Sequence, residues 1–87
     1  MDSYEIQYAP SFEKDLRSIP KQDRRKILKR IGSLASNPRP AGAIKLTGKS
    51  VYRVRQGDYR IVYDLIDRKL VVLVLGVGHR RDVYDHM

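Results

Sequence analysis

The chain contains no cysteine, which removes disulfides, thiolate metal sites and thiol nucleophiles at once. A reducing cytoplasm is the compartment such a composition suits. A secretory leader is not expected either, since Met1-Asp2-Ser3-Tyr4-Glu5 offers neither a basic stretch nor an apolar one. The longest apolar run, Leu70 to Val77 with Gly76 counted, falls far short of the ~20 residues of a membrane span. A soluble, cytoplasmic protein with no membrane contact is therefore expected. No internal repeat, low-complexity tract or linker divides the chain, and 87 residues suffice for one domain over 1–87. A chain this short buries only roughly 60–65% of the surface that its unfolded form exposes. The expected core is one sheet with a little helix against it.

Several chemical signatures are absent as well. No phosphate loop, nucleophile elbow or dinucleotide motif occurs. Gly76-Val77-Gly78 is too short a fragment of any of these and reads as the end of a strand. The acidic residues are scattered, and His79 and His86 fit no ligand spacing, so no metal and no cofactor are expected.

Positive charge is what the chain has in excess. Eighteen Lys and Arg against ten Asp and Glu give a formal net charge of +8 and a pI near 10.1. In so small a protein this points to a polyanionic partner, nucleic acid above all. A merely well-solvated basic surface would show the same balance.

The hydrophobic pattern predicts the order βααβββ, an α+β fold with a helical hairpin packed on a small, mainly antiparallel sheet. Tyr4 to Tyr8 alternates as a strand does. Ser11 is placed to cap a short helix with Phe12, Leu16 and Ile19 on one side, interrupted at Pro20. A second helix carries Ile27, Leu28, Ile31, Leu34 and Ala35 as its apolar stripe and stops at Asn37-Pro38. Its other side carries Arg24, Arg25, Lys26, Lys29 and Arg30, either a solvated face or one that touches RNA. Pro38 to Ser50 reads as a connector. Three strands follow, Val51–Arg55, Tyr59–Ile66 and Leu70–Val77, with turns at Gly57-Asp58 and Asp67-Arg68-Lys69. The nearly continuous apolar character of the last marks a strand covered on both faces, hence a central one. His79 to Met87 is expected to begin as a helical turn, with Arg80 and Tyr84 on one face.

The first of these turns sets the register. Gly followed by Asp suits a two-residue type II′ loop, which pairs Gln56 with Tyr59, Arg55 with Arg60, Val54 with Ile61 and Tyr52 with Tyr63. Paired residues share a face, so Tyr52, Val54, Ile61 and Tyr63 form an apolar side. Arg53, Arg55 and Arg60 gather on the other. Like charges facing each other cost a sheet roughly 0.2–1 kcal/mol per pair. Two fates are open to these arginines: splaying into water or pairing with acids such as Asp58 and Asp64, or forming a preorganised anion site.

The segments Val51-Tyr52-Arg53-Val54-Arg55, Gly57-Asp58-Tyr59-Arg60-Ile61-Val62-Tyr63 and Gly78-His79-Arg80-Arg81-Asp82-Val83-Tyr84 resemble the RelE/ParE toxin superfamily, and the likeness spans nearly the whole chain. It implies the small RelE-like fold and the toxin role of a type II toxin–antitoxin system. In the RelE-like branch it implies a metal-independent endoribonuclease that enters the ribosomal A site and cuts mRNA there. Residues matching Arg53, Arg55, Arg60, Arg80 and Tyr84 line the site in that branch. Such cleavage, by attack of the RNA's own 2′-hydroxyl, needs a proton acceptor, a proton donor and cations at the phosphate. The best-known members carry lysines where this chain has Arg53 and Arg55. Guanidinium does not give up its proton, so the proton role moves to Tyr84 and His79. With only three residues after Tyr84, the terminal helix of some members is not expected. Arg25, Lys26, Lys29, Arg30, Lys49 and Arg81 are the candidates for holding mRNA and ribosomal RNA. The expected protein partner is a cognate acidic, RelB-like antitoxin in a hetero-oligomer, partly disordered until it binds. ParE-like members instead poison DNA gyrase and generally lack the basic-plus-tyrosine site, so Arg60, Arg80 and Tyr84 together favour the nuclease. A non-toxic RNA-binding module would account for the charge alone.

Overall fold

The computed structural model describes residues 3–46 and 48–79. Its elements run β1 (Glu5–Tyr8), α1 (Pro10–Arg17), α2 (Lys21–Ser33), β2 (Ile44–Lys45), β3 (Val51–Gln56), β4 (Tyr59–Ile66) and β5 (Val71–His79). The architecture is the expected α+β layer, with one strand more than the sequence suggested. β2 is a two-residue strand inside the connector, antiparallel to β3 at the sheet edge, too short to leave a hydrophobic pattern. The sheet order is β1-β5-β4-β3-β2. β1 runs parallel to β5, and the other pairs are antiparallel. β5 thus has neighbours on both sides, as its apolar run implied.

Both helices lie on one face of the sheet. Phe12, Ile19, Ile27, Ile31 and Leu34 pack on Val54, Ile61, Tyr63, Leu65, Val72, Val74 and Val77. Each such fully buried side chain contributes on the order of 1.5–3 kcal/mol. Leu28 is not part of this stripe: it is 41% exposed. Ile27, Ile31 and Leu34 already span the α2 contact at i, i+4, i+7, and the next residue after Ile27 is turned by about 100° away from it.

The helix ends also differ from expectation. Ser11 does not cap α1. Ala9 occupies that position and Pro10 opens the helix, because the proline ring is preset to helical φ and has no N–H to leave unpaired. Ser11 turns to the sheet instead, donating to the carbonyl of Leu75 at 2.5 Å. α2 closes at Ser33, ahead of Asn37-Pro38, with Leu34 as its final cap. His79 ends β5 as a strand residue rather than opening a helical turn.

The connector is fastened by polar groups that carry no periodicity. Arg39 forms an ion pair with Asp67 at 2.6 Å and donates through Nε to the Tyr52 hydroxyl at 3.0 Å. The Tyr4 hydroxyl donates to the other Asp67 oxygen at 2.6 Å. These bonds hold the Asp67 carboxyl below its ordinary pKa. Beneath them Tyr63, fully buried, donates to the Pro38 carbonyl at 2.7 Å. Burial pushes its hydroxyl up to about 12.

Candidate nucleic-acid interface

The hairpin of β3 and β4 forms in the register that its turn dictates. Gln56 faces Tyr59, Arg55 faces Arg60, Val54 faces Ile61 and Tyr52 faces Tyr63. Gly57 has φ +61°, and Asp58 is not at positive φ, the signature of the type II′ loop. Tyr52, Val54, Ile61 and Tyr63 consequently belong to the helix-covered side. Arg53, Arg55 and Arg60 share the opposite side, around the buried Val62, which faces Arg53. Arg55 is exposed, whereas Arg53 and Arg60 are half-buried, each with its Nε withdrawn from solvent. On β5 the residue in register with Arg60 is Gly78, which has no side chain. Asp64 takes the hydroxyl hydrogen of Ser50 at 2.5 Å.

The structure thus brings the three sheet arginines together on rigid strands. It does not bring His79 to them. His79 is in register with Tyr59 and meets that ring edge-on, with centroids 6.0 Å apart, on the helix side. Tyr59 in turn donates to Asp23 of α2 at 3.3 Å. Its hydroxyl pKa is raised, by burial first and then by the Asp23 charge. Arg80, Arg81 and Tyr84 lie outside the described residues.

The α2 cations form a separate surface. Arg25, Lys26 and Lys29 are exposed and Arg30 is half-buried, on the helix layer and so across the sheet from Arg53, Arg55 and Arg60. Lys26 reaches the hairpin end, where it lines a cleft of about 330 Å³ with Asp23, Gln56, Gly57, Asp58, Tyr59 and His79. Lys49 is exposed in the connector. Among the described residues, no group of three His, Asp or Glu is placed to hold a metal ion, and no helix is long and apolar enough to cross a membrane.

Sequence reasoning missed Ser11 and Asp15, which grip the end of β5. A signal was available, because a glycine inside a strand pattern often marks a bulge. Between Val62 and Tyr63 the β4–β5 register steps from Gly76 to Val74, so Leu75 is the extra residue. A larger cleft of about 510 Å³ opens here, walled by Asp15, Ser18 and Ile19 on one side and by the end of β5 on the other.

Comparison with known proteins agrees with this fold. A family model described as the ParE toxin of type II toxin–antitoxin systems, parDE, matches residues 6–84. A RelE-like toxin protein of Escherichia coli is 30% identical over 87 residues, covering 94% of this chain and 90% of its own. Toxin RelG of Mycobacterium tuberculosis is 25% identical over 83 residues, with 93% and 95% covered. In the crystal structure of the intact E. coli RelBE toxin–antitoxin complex, a chain superposes with a TM-score of 0.76 at 30% identity, covering 88% of this chain and 96% of that one.

Proposed function

The chain belongs to the RelE/ParE toxin superfamily, as the toxin of a type II toxin–antitoxin system, and from that premise we propose that it is a ribosome-dependent mRNA endoribonuclease. The observation that carries this reading is the arginine cluster: three cations held on paired strands, away from the helices. An Arg placed opposite an Arg costs stability, and a phosphate between them turns that cost into binding. In the A site the cluster would stabilise the charge that builds on phosphorus as the 2′-hydroxyl attacks. A preorganised cation of this kind contributes roughly 2.7–4 kcal/mol to lowering a barrier. Guanidinium groups are no bases, and His79 stands on the far side of the sheet. The proton role therefore falls to Tyr84, with Arg80 four residues before it in sequence. A site rich in cations but poor in acid–base pairs leaves much of the catalysis to positioning by the ribosome. No metal or cofactor enters this scheme.

Arg25, Lys26, Lys29, Arg30, Lys49 and Arg81 would hold ribosomal RNA and mRNA through their phosphates. An acidic RelB-like antitoxin would cover the basic surface in a toxin–antitoxin hetero-oligomer; the similar RelE of E. coli is seen in complex with its antitoxin. The reading places the whole chain, 1–87, in one domain that works in the cytoplasm, where ribosomes are. Expression of the chain alone in bacteria, with mRNA ends mapped by primer extension, tests it. Cuts within translated frames are expected, relieved by co-expressing the neighbouring acidic reading frame. The matching model carries the ParE name, and intact mRNA together with DNA damage would establish the gyrase poison instead.

A further inference from the structure

β1 covers the outer edge of β5 only as far as Val74, the partner of Tyr8. The last bond on that edge runs from the Ala9 N–H to the Val74 carbonyl at 2.9 Å. Beyond it β5 bulges at Leu75, and its backbone groups need other partners. α1 supplies them from two side chains one turn apart. The Ser11 hydroxyl donates to the Leu75 carbonyl at 2.5 Å, and Asp15 Oδ2 accepts from the Val77 N–H at 3.2 Å. Two helical side chains thus do on this edge what a longer β1 would have done. The fit is close, since a Cβ on Gly76 would stand 3.0 Å from Asp15 Oδ2.

The bulge decides which side chains meet the arginines. From Val74, which faces the core, strict alternation would turn Gly76 and Gly78 inward and place His79 on the arginine side. The extra residue reverses this. Val77 packs in the core, His79 meets Tyr59, and Gly78 comes into register with Arg60. One residue past His79 the chain enters Arg80.

We propose that Asp15, assisted by Ser11, is a positioning residue for RNA cleavage, holding the bulged end of β5 so that Gly78 lies beside Arg60. The inference rests on the nuclease reading. Asp15 belongs to α1 and takes no part in the arginine cluster; it acts through the Val77 amide. What this requires of residue 15 is an acceptor of carboxylate size, not a negative charge.

The test is single-turnover cleavage on programmed ribosomes, with saturating rate and half-saturating toxin concentration measured for the parent, Asp15→Ala, Asp15→Asn and Arg60→Ala. Asp15→Ala is expected to lose on the order of 10²-fold in saturating rate, the effect of a misplacement near 1 Å, at unchanged half-saturation. Asp15→Asn, whose amide oxygen still accepts from Val77, should return to within a few-fold of the parent. The Val77 amide resonance should move in Asp15→Ala and stay in Asp15→Asn. If Asp15→Ala does not fold, Gly76→Ala tests the same interaction by crowding Oδ2. Parent-like cleavage in the folded Asp15→Ala variant, or in a Gly76→Ala variant whose Val77 amide resonance has moved, would overturn the proposal while leaving the nuclease reading intact. So would equal loss in Asp15→Asn, or a loss confined to half-saturation. A parent as inert as Arg60→Ala would overturn both.

Discussion

At the scale of single residues, Arg60 and Leu70 each set two effects against one another. Arg60 faces Arg55 across the hairpin, so removing it relieves repulsion of a few tenths to about 1 kcal/mol but also gives up the contact that the half-buried side chain makes. The same change withdraws a cation from the scissile phosphate, for a loss of about 10²–10³ in rate. Arg60→Ala should therefore be nearly non-toxic and cleave slowly on programmed ribosomes while its urea transition shows it folded. Parent-like cutting in the folded variant would place the anion site elsewhere. Leu70 lies at φ +54°, ψ +50°, a left-handed conformation that costs a side-chain-bearing residue roughly 1–2 kcal/mol. It follows the 3-10 turn Asp67–Lys69 and is 37% exposed, so its side chain is still partly packed. Leu70→Gly should leave the urea midpoint nearly unchanged, the relieved backbone cost offsetting the lost packing and glycine's own entropic cost. A loss of about 2 kcal/mol or more, as for a fully buried leucine, would show that packing outweighs the backbone conformation.

At the scale of elements, the connector is tied to the sheet by polar bonds that respond to pH from both ends. Tyr63 donates from β4 to the Pro38 carbonyl with its folded pKa raised from 10 to about 12 by burial. A raised folded pKa means stability that is complete below pH 10 and drains away as pH climbs through 12. Two units correspond to about 3 kcal/mol at most. Tyr63→Phe removes that loss from the alkaline limb while costing about 1–3 kcal/mol at neutral pH through the orphaned carbonyl. Urea titrations from pH 8 to 12 should show the two curves converging, and parallel curves would sink the assignment. Asp67 behaves oppositely, since its lowered pKa gives stability present at neutral pH and lost on acidification through that value. Both partners of its ion pair are largely exposed, so solvent screens the effect and it stays small.

At the scale of the whole molecule, two of the surfaces that carry the net charge of +8 lie on opposite sides of the sheet. One is the sheet's arginine cluster; the other is the outer side of α2, with Arg25, Lys26 and Lys29 exposed. If the second surface holds ribosomal RNA, its contribution is counterion release, which scales with the number of phosphates met. The combined change Lys26→Gln and Lys29→Gln should weaken ribosome binding and flatten its salt dependence by about 0.7–0.9 in log–log slope for each phosphate no longer neutralised. The saturating cleavage rate should hardly change, because the arginines that meet the scissile phosphate lie across the sheet. An unaltered slope would show that α2 faces solvent or the antitoxin rather than RNA.

The sequence by itself determined the pieces whose physics is local. The two-residue turn Gly57-Asp58 fixed the hairpin register, and a period of two then sorted Arg53, Arg55 and Arg60 to one side and Val54, Ile61 and Tyr63 to the other. The spacing of Ile27, Ile31 and Leu34 marked the buried side of α2, and the apolar run of β5 announced an interior strand. Tertiary structure decided what depends on neighbours distant in sequence. Leu28 satisfied the helical pattern yet faces solvent, because the sheet accepts only a strip of α2. Ser11 had the chemistry of a cap but found its partner in Leu75, sixty-four residues away. His79 was set apart from the arginines by one extra residue at Leu75, held in place by side chains of α1. A bulge reverses every side chain beyond it, and whether a glycine marks a bulge or merely ends a strand is settled by the partner that takes up the freed backbone groups.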